Sequence, residues 1–388
     1  MRIPPDPTHY IRLSSTWVTR GWTYQEGLLA RRRLYFSEYE ISYECRDMLC
    51  REALRLPPTV EQGMSGYKPR LMEPLWMYEP YIVAGMSSDD DGTGLFGLLA
   101  EYTARQLSLP SDALNAMLGI LQLLAEQRNT PVYHVCGVPV LHITDSKPNS
   151  NGKSTVPACL ALDGFINGLC WRLQKPAHRR SGFPSWSWTG WHGVVESKPF
   201  HFWGRPPIRH AYGFNVDVSI IPRDQGAGAV PWSRYYDQLS TAADSSRDLL
   251  SAQYHALEIT ASAAKVQLRK PKGTYLEPGE WTGTVCAGDG VWQGEFSLTQ
   301  KDYDNAGARY KNAGFSPSTL LQKLWTGIVL GNSNASLDKH DTYILVVQKQ
   351  QQKSTTYKQT YWERVGLLKL RDCALKDGML ERSTWRLA

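Results

Sequence analysis

A chain of 388 residues is long enough for two domains and a sizeable buried core. Its composition, 42% hydrophobic and 21% charged, argues against wholesale disorder. A net charge of +6 is carried in short runs, Arg31-Arg32-Arg33 and His178-Arg179-Arg180. With no recognised binding motif beside them, these read as solvated element ends and no nucleic-acid partner is expected.

No apolar run approaches the ~20 residues of a membrane span. Met1 to Tyr10 is proline-rich and lacks the apolar core of a signal peptide, so a cytoplasmic protein is expected. Cys45, Cys50, Cys136, Cys159, Cys170, Cys286 and Cys373 are odd in number and without paired spacing. Reduced, mostly buried thiols are expected. Cys45 and Cys50 have no histidine or second cysteine pair nearby to complete a zinc site, so no metal is expected.

In chain order, Trp22 to Ala30 predicts a short helix, with Thr23 and Glu26 forming a capping box at its start. Arg33–Phe36 and Glu40–Cys45 predict two strands of a hairpin. Pro57-Pro58 opens an irregular stretch that runs to Met86. Leu95 to Leu107 predicts a helix, and a second follows Pro110 with Ser111 or Asp112 as its cap. The apolar face of that second helix is Leu114, Met117, Leu118, Leu121 and Leu124. A polar loop from Ser146 to Thr155 precedes a third helix over Ala158–Leu173, carrying Phe165, Leu169 and Trp171. Phe183 to Trp191 predicts a strand with Trp186 and Trp188 on one face and Ser185, Ser187 and Thr189 on the other.

Beyond it, Phe214 to Ile220 alternates cleanly, as does Leu257 to Ala261. Further strands are expected at Gly327–Leu330, Thr342–Val347 and Glu363–Leu370. The expected fold is therefore α+β, a helical N-terminal half followed by a β-rich C-terminal half. The boundaries fall at residues 1–50, 51–182 and 183–388.

Four segments stand out for their content. Trp17-Val18-Thr19-Arg20-Gly21-Trp22-Thr23-Tyr24-Gln25-Glu26 packs two tryptophans, an arginine, a glycine and a Gln-Glu pair into one short stretch. The second is Ser111 to Leu121, with Pro131-Val132-Tyr133-His134 and Gly137-Val138-Pro139 after it. The third is Phe183-Pro184-Ser185-Trp186-Ser187-Trp188-Thr189-Gly190-Trp191, and the fourth Tyr361-Trp362-Glu363-Arg364-Val365-Gly366-Leu367. Together they resemble the fungal heterokaryon incompatibility (HET) family, from about Ile11 to Leu370.

The first segment is similar to the signature that closes the HET domain. The family's opening strand and its Asp-x-x-Cys-Ile segment do not occur here. The resemblance thus implies a truncated member, with residues 1–50 the C-terminal remnant of an α/β HET domain. It also implies an intracellular factor of non-self recognition and regulated cell death, acting through protein partners of unknown identity. An inactive truncated remnant is an alternative.

A second alternative is enzymatic. HET domains have been thought to resemble Toll/interleukin-1 receptor domains, some of which cleave NAD. That likeness makes Glu26 the candidate catalytic residue, in a context formed by Ser14, Trp17 and Trp22. Its carboxylate would stabilise the positive charge that develops on ribose as nicotinamide leaves. No other cofactor or substrate is implied.

The bland readings of the same residues are specific. Glu26 also fits the third position of a capping box, Trp17 and Trp22 fit core anchors, and Arg20 fits an ion pair with Glu26 or Glu44. Gly21 and Gln25 complete the candidate motif. Gly92-Thr93-Gly94-Leu95-Phe96-Gly97 matches a dinucleotide pattern, but Asp89-Asp90-Asp91 before it would repel a pyrophosphate. Burial between the two halves is expected for Trp186 and Trp188, and His134 reads as a packed histidine.

Overall fold

Alternation of apolar and polar residues over long stretches makes most of the second half into one antiparallel sheet. The computed structural model describes residues 15–38, 40–45, 49–52, 93–127, 131–143, 158–197, 208–209, 214–222, 228–242, 254–269, 280–287, 290–299, 324–336, 339–351, 360–373, 375 and 377–388. The long strands are β9 (Tyr254–Arg269), β10 (Glu280–Ala287), β11 (Gly290–Leu298), β12 (Leu324–Ser336), β13 (Lys339–Gln351) and β14 (Thr360–Cys373). They pair in the order β9-β10-β11-β14-β13-β12. β12 then returns to β9, from Leu324 opposite Gln267 to Ile328 opposite Ala263. The sheet closes into a barrel, which removes free edges along that stretch.

Alternate residues fill the barrel. Ala264, Val266 and Leu268 of β9 are buried in one cluster with Trp281, Phe296, Trp325, Ile344 and Leu368. The other faces build a second core against the helices. There Ile328, Leu345, Val347 and Leu367 join Ile259, and this cluster runs from Tyr24 to Leu387. The first half of β9 leaves the barrel and is flanked by β7 (Asp217–Pro222) and β15 (Glu381–Leu387). β6 (Ile208–Arg209) and β8 (Val230–Pro231) extend the sheet.

Six helices accompany these strands among the described residues: α1 (Thr16–Thr19), α2 (Gly21–Leu29), α3 (Thr93–Thr103), α4 (Asn115–Ala125), α5 (Ala158–Leu169) and α6 (Trp232–Thr241). None is long and apolar enough to cross a membrane. α5 lies against the hairpin of β4 (Tyr133–Val135) and β5 (Val138–Val140). The approach depends on Gly168, where a Cβ would stand 1.9 Å from the Pro139 carbonyl oxygen. The hairpin turns through Cys136 and Gly137, both at positive φ (49° and 88°), the pattern that matches the twist of tightly joined strands.

The expected helical N-terminal half is not what folds. Among the described residues 47% lie in strand and 29% in helix. The first half itself carries a three-stranded sheet, β1 (Arg32–Phe36), β2 (Ile41–Cys45) and β3 (Leu49–Arg51), as well as the β4–β5 hairpin. The reason is local. Val132, Tyr133, Val135, Val138 and Val140 form a nearly continuous apolar run, whose periodicity cannot separate helix from strand, and β-branched residues tip it to strand.

Two further expectations are corrected. Ser185 to Trp191 is a turn followed by a 3-10 helix over Trp188–Gly190, because Ser187 turns its hydroxyl onto the Thr189 N–H (3.1 Å) and starts a helical turn. The helix near Trp22 begins at Gly21 without a capping box. Gly92 and Asp89–Asp91 of the dinucleotide-like pattern, the stretch from Pro57 to Met86, the loop of Ser146 to Thr155 and Ser14 lie outside the described residues, while Thr93 to Gly97 of that pattern open α3.

Candidate functional site

The Trp17–Glu26 segment is two short helices hinged at an extended residue. Ser15 caps α1, its hydroxyl accepting the Val18 N–H at 3.3 Å, and Arg20 is extended at φ −89°. At the hinge the segment docks on the chain after α3. The Gly21 N–H donates to the Gln106 carbonyl and the Gln106 N–H to the Thr19 carbonyl, both at 2.7 Å. The glycine is needed for that approach, since a Cβ there would stand 2.5 Å from Leu107 Cδ2.

This docking also explains the missing capping box. Thr23 is already inside the helix, and its hydroxyl reaches back to the carbonyls of Trp17 (2.5 Å) and Arg20 (2.8 Å). Glu26 therefore has no N-terminal N–H to bond.

The buried side of the segment is locked to α3 and α4. Arg105 donates to the Val18 carbonyl and lies 4.6 Å over the ring of Tyr24, which is fully buried. Tyr24 neighbours Tyr102 (6.1 Å), whose hydroxyl donates to the Ala113 carbonyl at 2.9 Å. Gln25 Oε1 accepts the Gly119 N–H at 2.6 Å. A Cβ on Gly119 would stand 2.8 Å from Leu29 Cδ1, so the helices α2 and α4 meet where α4 has no side chain.

The other three prominent segments join the same core. Tyr102 stands edge-on to Trp188 (5.9 Å), and the Trp188 indole donates to the Gly137 carbonyl at 2.7 Å. Ser187 donates to the Cys136 carbonyl at 2.6 Å. These bonds satisfy a hairpin turn that is buried, where unpaired backbone would be costly. His134 is buried and its Nδ1 accepts the Gly137 N–H at 3.2 Å, as a packed histidine does. Trp186 and Trp188 are buried as expected (0% and 1% exposed).

The fourth segment supplies Arg364, which the sequence does not single out. Its guanidinium is fully buried, donates to the carbonyls of Leu169 (2.7 Å) and Trp171, and lies 3.7 Å over the Trp171 ring. Burial pulls the guanidinium down to about 9. Its backbone N–H donates to Ser185 Oγ at 3.2 Å. Burial likewise pushes the thiols of Cys136 and Cys170 up to about 12. Cys50 and Cys286 are exposed, so burial of the thiols is only partial.

What remains outside is one stripe of α2. Trp22 (37% exposed), Glu26 and Leu29 (39%) follow one another at helical spacing on the solvent side, and Trp22 is not the core anchor its size suggests. Its indole is oriented nonetheless, donating to Asp112 at 2.9 Å. Trp17 is partly buried against the core, and Arg20 is exposed with no ion pair among the described residues. Glu44 is engaged elsewhere, by Arg33 (3.4 Å) and the Tyr35 hydroxyl (2.7 Å).

The structure thus brings Trp17, Gly21 and Gln25 together as packing residues and leaves Arg20, Trp22 and Glu26 at the surface. Comparison with family models, with curated proteins and with solved structures finds no match.

Proposed function

We propose that the chain is a HET-type protein of heterokaryon incompatibility, a cytoplasmic factor of non-self recognition and regulated cell death that acts through a protein partner on the exposed stripe of α2. One observation carries the reading. Trp22 is a large aromatic at the surface, already held in one orientation by Asp112. A pre-ordered tryptophan flanked by an aliphatic and an acidic residue is the composition of a protein-binding anchor, and ordering it beforehand lowers the entropy lost on association. The convergence of the four resembling segments on one core supports the family reading, because the resemblance then follows a packed unit.

The NAD-cleaving alternative gains no such support. Glu26 stands exposed on the solvent side of α2 beside Trp22 and Leu29. Expression in a fungal host tests the proposal. The wild-type chain is expected to be toxic, and Trp22→Ala, checked for an unchanged urea midpoint, to abolish that toxicity. A folded Trp22→Ala chain that kills as well as wild type refutes the α2 surface.

A further inference from the structure

The three-stranded sheet β1–β3 is built inside out. On its inner face stand Arg33, Tyr35, Ser42 and Glu44, all under 9% exposed. Arg33 donates to the Gly27 carbonyl of α2 (2.7 Å) and pairs with Glu44, which also accepts from Tyr35, so the charges on this buried face are paired. On its outer face stand Leu34 (60% exposed), Phe36 (74%) and Ile41 (42%), with the half-buried Tyr43 opposite Leu34. Neighbouring large apolar side chains left in water on one sheet face mark a contact surface.

The charges around this face have a direction. At one end Arg31 and Arg32 are exposed, and at the other Glu38 and Glu52, with none of the four in an ion pair among the described residues. A surface that is basic at one end, apolar in the middle and acidic at the other is complementary to itself when turned over. We propose that this face binds a second copy of the chain. The two-fold axis lies in the contact plane and runs across the strands, so that Leu34 meets its counterpart, Arg32 lies opposite Phe36 of the partner subunit, and its guanidinium extends on toward the partner's Glu38. Phe36 then covers the aliphatic stem of the partner's Arg32. This inference concerns a different face from the α2 stripe and does not depend on the proposed function.

Its strength follows from size. The face spans four residue steps of ~3.3 Å along β1 and two strand spacings of ~4.8 Å across, which is on the order of 150 Å². Stable interfaces bury about 800 Å² on each partner, so the dimer is weak and populated only at high concentration.

Sedimentation equilibrium of the full chain from about 5 to about 500 µM tests this. The expected result is a shift from monomer toward dimer across the range, lost in Phe36→Asp and weakened by added salt. Arg32→Glu and Glu38→Arg are each expected to stay monomeric alone and to form a heterodimer when mixed, because the mixture restores both charge pairs. Circular dichroism confirms that each variant is folded. A wild-type chain that stays monomeric throughout overturns the proposal, as does a Phe36→Asp chain that still dimerises. Failure of the mixture to associate overturns the stacking arrangement.

Discussion

Replacing Arg364 with methionine removes the guanidinium from the junction of barrel and helices while keeping most of its volume. Wild type has two charge-assisted hydrogen bonds there, to the last carbonyl of α5 and to Trp171, and a cation stacked on an indole. Each such bond is worth about 1.5–3 kcal/mol, and a desolvated cation–π contact about 2. Against this stands the cost of keeping the charge out of water, several kcal/mol, which the methionine variant escapes. It leaves two carbonyls without that donor, at about 1–3 kcal/mol each.

The net expectation is a loss of about 3–5 kcal/mol, a large part of the 5–15 that typically holds a domain together. Lysine at the same place does no better than methionine. It retains a buried charge and presents no planar fork to stack on Trp171 while reaching both carbonyls. Urea unfolding followed by tryptophan fluorescence measures both variants. An Arg364→Met chain within about 1 kcal/mol of wild type refutes the reasoning, since it would mean that the cation's desolvation cancels every bond it makes.

Three other outcomes are expected. Gly168→Ala drives a methyl against the Pro139 carbonyl and lowers stability by about 1–3 kcal/mol, readable as a fall in melting temperature; an unchanged value would mean that α5 and β5 do not touch there. In the native chain a thiol reagent labels Cys50 and Cys286 quickly, whereas Cys136 and Cys170 react only after unfolding; peptide mapping of the labelled chain decides this. Burial, then the neighbouring Arg180 and His178, lower the proton affinity of His192, so on acidification the unfolded chain takes the proton first. Stability is therefore constant above about pH 6.5 as far as this group is concerned, and falls below it until the folded ring protonates. His192→Gln should flatten that part of the urea-midpoint profile, although His142, also lowered by burial, still contributes; identical profiles would exclude His192 as a source.

Periodicity revealed much of the fold. The β1–β2 hairpin, the cores of α4 and α5, and the strand centres at Leu257–Ala261, Thr342–Val347 and Glu363–Leu370 all follow from local spacing. Barrel closure does not, because it depends on β9 accepting β10 on one side and β12 on the other, a choice that no local pattern encodes. Polarity misleads at two places. Arg33 and Glu44 face inward since they satisfy one another and Gly27, and Arg364 is buried since it finds carbonyls and an indole at a helix end. Within the candidate motif, Glu26 and Thr23 spell a cap, but the backbone bonds of Gly21 and Gln106 start the helix earlier. Which of its tryptophans would stay at the surface was equally hidden, as it depends on Asp112 far along the chain.

The seam between β9 and β12 bears on how the chain reaches this state. Its partners, Ala263 and Ile328, are distant in sequence, so loop-closure entropy must be overcome before any seam contact is rewarded. Refolding should accordingly be slow for the size of the barrel. Until the seam closes, β9 and β12 each present an open edge of unpaired backbone, and chains that meet at that stage can pair with one another instead. The yield of refolded protein should therefore fall as concentration rises, a kinetic hazard that the finished barrel no longer displays.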